Sequence, residues 1–171
     1  MKTWIDEQAL HRCGQLLNTQ GWTLVCAESM TAGFLSSICA MEVNSGDYFL
    51  GSIVCYDDRV KRDLLQVPAA KLEKYCSESA VATLRLLDGL RTLVPQATVH
   101  VSITGLAYKT SNPKQKRPVG TVYYAIAFQD HKVIFKKKFE GEAADILILA
   151  CNSLIDDLYQ WLGRLQCMKM A

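Results

Sequence analysis

The sequence lacks the long apolar segments that mark membrane and secreted proteins. None of the hydrophobic runs in its 171 residues approaches the roughly 18 residues that a membrane-spanning helix requires. At the N-terminus, residues 1–7 read MKTWIDE and become acidic where a signal peptide would become apolar. We therefore expect a cytoplasmic protein that does not interact with a membrane.

The chain also has little net charge. Its 19 Lys and Arg residues nearly balance its 17 Asp and Glu residues, so the net charge of +2 at pH 7 creates no strong field that would attract a polyanion. A nucleic-acid site would need a local basic patch, for which the candidates are Lys109, Lys114, Lys116, Arg117, Lys132 and Lys136–Lys138. Few aromatic residues are interleaved with these cations, and solvated surface charge is the simpler interpretation. We do not expect a nucleic-acid partner.

Metal-binding patterns are missing as well. The seven cysteines show neither a CxxC motif nor a Cys/His pair at the spacing of zinc ligands. Most of them lie in apolar stretches, as Cys26 does after Leu24 and Val25, which is typical of reduced thiols in a hydrophobic core. Their odd number also argues against a disulfide framework. No metal ion and no organic cofactor is expected.

Half of the residues are hydrophobic, and their spacing predicts alternating helices and strands. Helices are predicted over Ile5–Leu17, Ala32–Met41, Arg59–Leu65, Ser79–Val94 and Ala143–Leu165, with a further short helix after Pro68. Strands are predicted over Trp22–Ala27, Tyr48–Tyr56, Thr98–Thr104, Val119–Phe128 and Lys132–Phe139, the last two as an antiparallel hairpin. The segment Ala107–Pro118 is expected to be a long polar loop. We predict one α/β domain over residues 1–171, a three-layer sandwich in which a mixed, mostly parallel sheet carries helices on both faces.

A serine follows the first predicted strand, within the segment Ala-Glu-Ser-Met-Thr-Ala-Gly at residues 27–33. Ser29 would lie in a strand-to-helix turn, where unpaired N–H groups at a helix N-terminus can bind an oxyanion or a phosphate. A cap on the helix is the simpler role for Ser29 or Thr31. The GxSxG motif is absent, because Ala27 replaces its first glycine. These residues alone leave both roles open.

The base that a serine nucleophile needs is not an evident histidine. His11 lies in a predicted helix, His100 in a predicted strand and His131 in a hairpin turn. Tyr56 instead ends the second strand, and Lys61 follows in the first turns of the next helix, where the helix dipole disfavours an ammonium ion. A solvated surface lysine is the ordinary alternative.

Residues that follow the carboxyl ends of parallel strands meet in one crevice of an α/β sheet. Ser29, the segment Tyr56–Lys61 and Thr104-Gly105 all occupy such positions. Together they provide the groups that a Ser/Lys site for acyl transfer requires, although no single motif identifies one.

Around these residues the sequence resembles the CinA C-terminal domain family, and the similarity covers nearly the whole chain. The family pattern Ala-Glu-Ser, then Cys or Met, then Thr-Gly-Gly is similar to residues 27–33. The family's Phe, Gly, Val and Tyr, with Lys five residues on, are similar to Phe49, Gly51, Val54, Tyr56 and Lys61. Ser77-Glu78 and the segment Arg117–Val122 resemble two further family motifs.

Stand-alone members of that family are nicotinamide-nucleotide amidases, which convert nicotinamide mononucleotide to nicotinate mononucleotide and ammonia. The resemblance implies this activity here, with a nucleotide as the small-molecule substrate. It implies that Ser29 is the nucleophile and that Lys61 takes its proton, directly or through Tyr56. The residues expected to bind the substrate are Met30, Thr31, Gly33, Thr104, Gly105 and Lys109.

Two segments depart from the family pattern. Gly105–Ser111 lacks the family's glycine cluster, and Tyr108 and Lys109 stand where the family has glycines. Gly141-Glu142-Ala143 replaces the family's Gly-Asp-Arg and so lacks a cation that could pair with a phosphate; Lys109 or Lys114 is a candidate replacement, whereas Tyr108 could fill the pocket. The alternative function is therefore a catalytically silent member that binds a nucleotide or a partner protein. The oligomeric state stays open, a homo-oligomer included.

Overall fold

A five-stranded sheet with helices on both faces organises the molecule. The computed structural model describes residues 4–109 and 117–169. The helices are α1 (Glu7–Gln20), α2 (Phe34–Ala40), α3 (Asp58–Leu65), α4 (Ala69–Tyr75), α5 (Ala80–Leu93) and α6 (Ala143–Lys169). The strands are β1 (Leu24–Glu28), β2 (Phe49–Val54), β3 (Val99–Gly105), β4 (Thr121–Phe128) and β5 (His131–Lys138), and a short 3-10 helix spans Ser45–Asp47.

The strands lie in the order β2-β1-β3-β4-β5. β1 pairs in parallel with both β2 and β3, and Cys26 is opposite Ser52 on one side and Val101 on the other. β4 is antiparallel to both β3 and β5, so four of the five strands share one direction. The sheet is mixed, and the predicted α/β class is confirmed.

The two faces of the sheet carry different sets of helices. Side chains alternate along β1, because successive residues of a strand point to opposite faces. Leu24 and Cys26 pack with residues of α1, α2 and α6, whereas Val25 and Ala27 pack with residues of α3, α4 and α5. We call these sides the α6 face and the α5 face. All residues of β4 are buried, as expected for a strand that is covered on both faces.

Polar caps and one glycine set the ends of the longer helices. The Asp6 side chain accepts a hydrogen bond from the Ala9 N–H at the start of α1, and Ser79 accepts one from the Ala82 N–H at the start of α5. Gly21 ends α1 in the left-handed region, with φ of 62°. The helices and strands agree with the predicted ones apart from small shifts at their ends, such as the extension of α6 past Leu165 to Lys169.

Five cysteines are buried, namely Cys13, Cys26, Cys39, Cys55 and Cys151. Burial raises the pKa of the Cys39 thiol to about 12, so it stays protonated and behaves as a small apolar group. Within residues 4–109 and 117–169, no helix is long and apolar enough to span a bilayer. The predicted loop Ala107–Pro118 lies partly outside the described residues, since its residues 110–116 are not among them.

Gly89 lies in α5, where that helix contacts the end of α3. A Cβ atom at this position would lie 2.0 Å from the main-chain oxygen of Leu65. We expect Gly89→Ala to lower the free energy of unfolding by about 1–3 kcal/mol, because the two helices must move apart to accept the methyl group. Denaturant-induced unfolding measures this change.

Gly163 in α6 provides the matched control. A Cβ atom there would meet nothing within 4 Å. Gly163→Ala should raise the free energy of unfolding by roughly 0.5–1 kcal/mol, since alanine loses less backbone entropy than glycine in a helix. Equal effects of the two substitutions would contradict the close contact at Gly89.

Candidate functional site

A cleft of about 650 Å³ opens at the carboxyl ends of the three parallel strands. Ser29 and Met30 follow β1, Tyr56 follows β2, and the segment 105–108 ends β3 and continues from it. Residues of α3 and α4 and the segment 76–78 before α5 form the opposite wall. The strand ends therefore converge as expected for a parallel α/β sheet.

Ser29 lies in the tight turn between β1 and α2. Its main-chain N–H donates to the Ile103 oxygen of β3 at 3.1 Å, which fixes the turn against the neighbouring strand. The side chain is 9% exposed and faces the cleft, and its hydroxyl has no hydrogen-bond partner among the described residues. The Met30 N–H likewise has no acceptor in the described part of the chain.

Gly105 allows the end of β3 to approach this turn closely. A Cβ atom at Gly105 would lie 2.4 Å from the Met30 sulfur and 2.8 Å from the Thr121 oxygen. A larger residue at position 105 would therefore displace Met30 from the cleft wall.

Lys61 is buried, with a side-chain exposure of only 1%. Its ammonium group donates to the Tyr56 main-chain oxygen at 3.0 Å and to Asp58 Oδ1 at 2.9 Å. Asp58 in turn accepts a hydrogen bond from the Ser77 hydroxyl, which is 2.6 Å from both of its oxygens. The alternative of a solvated surface lysine is wrong, because the Tyr56 carbonyl and the Asp58 carboxylate hold this side chain below the surface.

A proton relay through Tyr56 would need its hydroxyl between Ser29 and Lys61, but the hydroxyl contacts Tyr108 instead. The Tyr56 side chain is 52% exposed, and its hydroxyl is 2.6 Å from the hydroxyl of Tyr108. This hydrogen bond raises the pKa of Tyr56 above its usual range. The structure thus connects Tyr56 to Lys61 through the main-chain carbonyl, while the phenol spans the cleft mouth to Tyr108.

Four of the residues assigned to substrate binding do not line the cleft. The Thr31 hydroxyl and the Gly33 N–H both donate to the Glu28 carboxylate, at 2.7 and 3.0 Å. The Thr104 hydroxyl is 2.8 Å from the Thr83 hydroxyl beneath α5. Lys109 is exposed, outside the lining. Ser29, Met30, Tyr56, Lys61 and Gly105 do share the cleft.

Sequence reasoning did not assign several charged residues of the cleft. They are the acidic Asp57, Asp58, Glu73 and Glu78 and the basic Arg62. Burial raises the pKa of the Glu78 carboxyl above its usual range. Ser77-Glu78 resembles a family motif, but the neighbouring residues in the sequence do not indicate that this pair lines the same cleft as Lys61. Together with Lys61, the described lining holds four acidic and two basic side chains.

The three histidines lie away from the cleft lining. His11 contacts Glu42, with Nδ1 2.8 Å from a carboxylate oxygen, and His100 Nε2 is 2.8 Å from the Val94 oxygen. Among the described residues, no group of three or more His, Cys, Asp or Glu side chains is arranged to hold a metal ion. The groups available for chemistry in the cleft therefore include the Ser29 hydroxyl, the Lys61 amine, carboxylates and main-chain N–H groups.

Comparison with known proteins shows what this arrangement is similar to. A "CinA-like protein" of Acaryochloris marina is 38% identical over 122 residues, which cover 71% of this chain and 29% of that protein. Another from Rippkaea orientalis is 38% identical over 128 residues, covering 75% of this chain and 30% of that protein. The chain thus spans less than a third of the length of these curated relatives.

Solved structures show the same fold over nearly their full length. Competence damage-inducible protein A from Klebsiella pneumoniae superposes with a TM-score of 0.87 at 22% identity, covering 94% of this chain and 98% of that one. A CinA superfamily protein from another Klebsiella pneumoniae strain superposes with a TM-score of 0.86 at 25% identity, covering 92% and 97%. The CinA C-terminal domain profile matches residues 6–162, and this chain belongs to the CinA C-terminal domain family.

Proposed function

We propose that this chain is a serine amidohydrolase that converts nicotinamide mononucleotide to nicotinate mononucleotide and ammonia. One observation carries the proposal: the Ser29 hydroxyl, without a partner among the described residues, lines the same cleft as the buried Lys61 amine. A nucleophile and a base at converging strand ends are what acyl transfer requires. The family resemblance supplies the substrate.

In the proposed reaction, the neutral amine of Lys61 takes the Ser29 proton as the serine oxygen attacks the carboxamide carbon. The carbonyl oxygen becomes an oxyanion that accepts a hydrogen bond from the Met30 N–H, as it does from the residue after the nucleophile in many hydrolases; this N–H has no acceptor among the described residues. The C–N bond then breaks, and the nitrogen leaves as ammonia with the proton from Lys61. Water hydrolyses the acyl-serine, which yields the acid and restores both side chains.

Tyr56 has two conceivable places in this scheme. A relay through its phenol requires the hydrogen bond to Tyr108 to open first, whereas direct transfer from Ser29 to Lys61 leaves that bond intact. We favour direct transfer, with the Tyr56 carbonyl orienting the Lys61 side chain.

Ser29→Ala should abolish ammonia release from nicotinamide mononucleotide, because it removes the nucleophile. Its stability should change by no more than about 1 kcal/mol, because the Ser29 hydroxyl makes no hydrogen bond with the described residues. Coupled ammonia detection on purified protein measures the rate. Ser37→Ala is the control, since it removes an exposed hydroxyl from α2 that bonds only to the Gly33 oxygen. Turnover by the Ser29 variant at the parent rate would refute the mechanism.

Lys61→Met should reduce kcat by 10²-fold or more, within the range attributed to general acid–base catalysis, roughly 10²–10⁴. Lys71→Met provides the control: this lysine lies in α4 outside the cleft, with its amine 5.7 Å from the Tyr75 ring centre. A kcat for Lys61→Met equal to that of the Lys71→Met control would show that another group is the base.

A catalytically silent nucleotide-binding member is the second candidate function. It is favoured by one observation, namely that Tyr108 lines the cleft and is bonded to Tyr56 across its mouth. An aromatic side chain in this place narrows the entrance that the family's glycines would leave open.

Calorimetric titration with nicotinamide mononucleotide and nicotinamide riboside separates the two functions. We expect Lys109→Ala to bind both ligands within about twofold of the parent affinity, a difference well below the tenfold change that corresponds to 1.4 kcal/mol. The reason is that Lys109 lies outside the cleft lining. A loss of affinity for the mononucleotide alone would place Lys109 at the phosphate. If the parent binds the mononucleotide but releases no ammonia from it, the silent nucleotide-binding member is correct. If the parent binds neither ligand and Tyr108→Gly binds both, Tyr108 closes the cleft and both candidate functions are wrong.

A further inference from the structure

Glu28 is the last residue of β1 and directly precedes Ser29. Its side chain is fully buried on the α6 face, with an exposure of 0%. A buried carboxylate is unfavourable unless donors satisfy its oxygens. Five donors from the turn and from the start of α2 do so: the Thr31 hydroxyl and the Gly33, Leu35 and Ser36 N–H groups at 2.7–3.0 Å, and the Ser36 hydroxyl.

The turn that follows Glu28 has an unfavourable backbone conformation. Ala32 has φ of +50° and Gly33 has φ of +95°, so two successive residues lie in the left-handed region. That conformation is disfavoured for alanine by about 1–2 kcal/mol. Tertiary contacts must therefore hold the turn, and the Glu28 carboxylate supplies most of its side-chain hydrogen bonds.

The same contacts decide which main-chain N–H groups a substrate can reach. α2 has no side-chain cap at Gly33, and Glu28 takes over that role from the preceding strand. The N–H groups of Gly33, Leu35 and Ser36 are used by the carboxylate. The start of α2 is therefore closed to a substrate phosphate, and the Met30 N–H, which Glu28 does not contact, stays available at the cleft.

We propose that Glu28 is a positioning residue for the proposed hydrolysis: it fixes Ser29 and the Met30 N–H in their reacting geometry through the turn that it holds. The inference rests on the proposed function, because it assumes that Ser29 is the nucleophile. Glu28 does not touch the substrate, since its carboxylate is buried beneath α2 and does not line the cleft.

Glu28→Gln is the first test, because it keeps the shape of the side chain. One acceptor oxygen remains, but the new NH₂ group faces N–H donors that it cannot accept from. A displacement of about 1 Å at a reacting group costs on the order of 10²-fold in rate. We expect kcat for nicotinamide mononucleotide to fall by roughly that factor, while KM changes by less than about threefold, because the cleft wall that binds substrate is intact.

A second measurement does not depend on the substrate. Phenylmethylsulfonyl fluoride reacts with an activated serine: the serine oxygen bonds to sulfur, fluoride leaves, and the base takes the proton. The rate of this labelling, followed by the mass of the intact protein, should fall in Glu28→Gln in parallel with kcat. Ser29→Ala is the blank and should not be labelled.

Thr31→Val is a milder variant that covers the case in which Glu28→Gln does not fold. It removes one donor to the carboxylate in a buried side chain of similar size, and it should lower kcat and the labelling rate several-fold with KM unchanged. Ser37→Ala leaves the carboxylate untouched and should match the parent.

The outcomes separate the positioning role from the proposed function. If the folded variants are labelled and turned over at parent rates, Glu28 has only a structural role and the inference is wrong. A rise in KM at constant kcat would also overturn it, because Glu28 would then act on binding. If the parent is labelled but releases no ammonia from the mononucleotide, and Glu28→Gln is labelled more slowly than the parent, the positioning role is supported and the proposed substrate is wrong. A parent that is not labelled at Ser29 would overturn both.

Discussion

The parallel pairing of β1 with both of its neighbours is the constraint on which the rest of the structure depends. β1 is buried along its whole length and hydrogen-bonds to β2 and β3 in the same direction. The chain must therefore leave three adjacent strands at one edge of the sheet. Ser29, Tyr56 and Gly105 meet there because of this topology, although they are far apart in sequence.

Two buried charged side chains, Glu28 and Lys61, lie near these strand ends. Under α2, Glu28 accepts hydrogen bonds from main-chain N–H groups and hydroxyls, and no described cation pairs with it. On the opposite wall, Lys61 is held by a carboxylate and a carbonyl. Ser29 directly follows Glu28 in the chain and shares the cleft with Lys61. A mechanism that uses the turn as an anion site has no free donors beyond Met30 and Thr31 among the described residues.

The spacing of hydrophobic residues was enough to predict the helices and strands, because most of these elements are either fully buried or clearly amphipathic. It also located Ser29 and Lys61, since both follow strand ends. It could not locate partners that come from distant elements. Alternation along β3 directs Thr104 to the α5 face, where its partner is Thr83. The contact between Tyr56 and Tyr108 likewise joins residues 52 positions apart in the sequence. Asp57 caps α3 and the adjacent Asp58 pairs with Lys61, a difference between two identical neighbours that only the fold shows.

The basic residues of β5 lie on the outermost strand of the sheet, beside β4. Lys132, Lys136 and Lys138 alternate with the inward-facing Val133 and Phe135. Lys132 pairs with Asp88 of α5, whereas Lys136 and Lys138 are exposed. An edge strand offers open main-chain hydrogen bonds to any other strand that approaches it. Two chains meeting along β5 would bring Lys136 and Lys138 of both copies close together, and this like charge disfavours strand pairing at that edge.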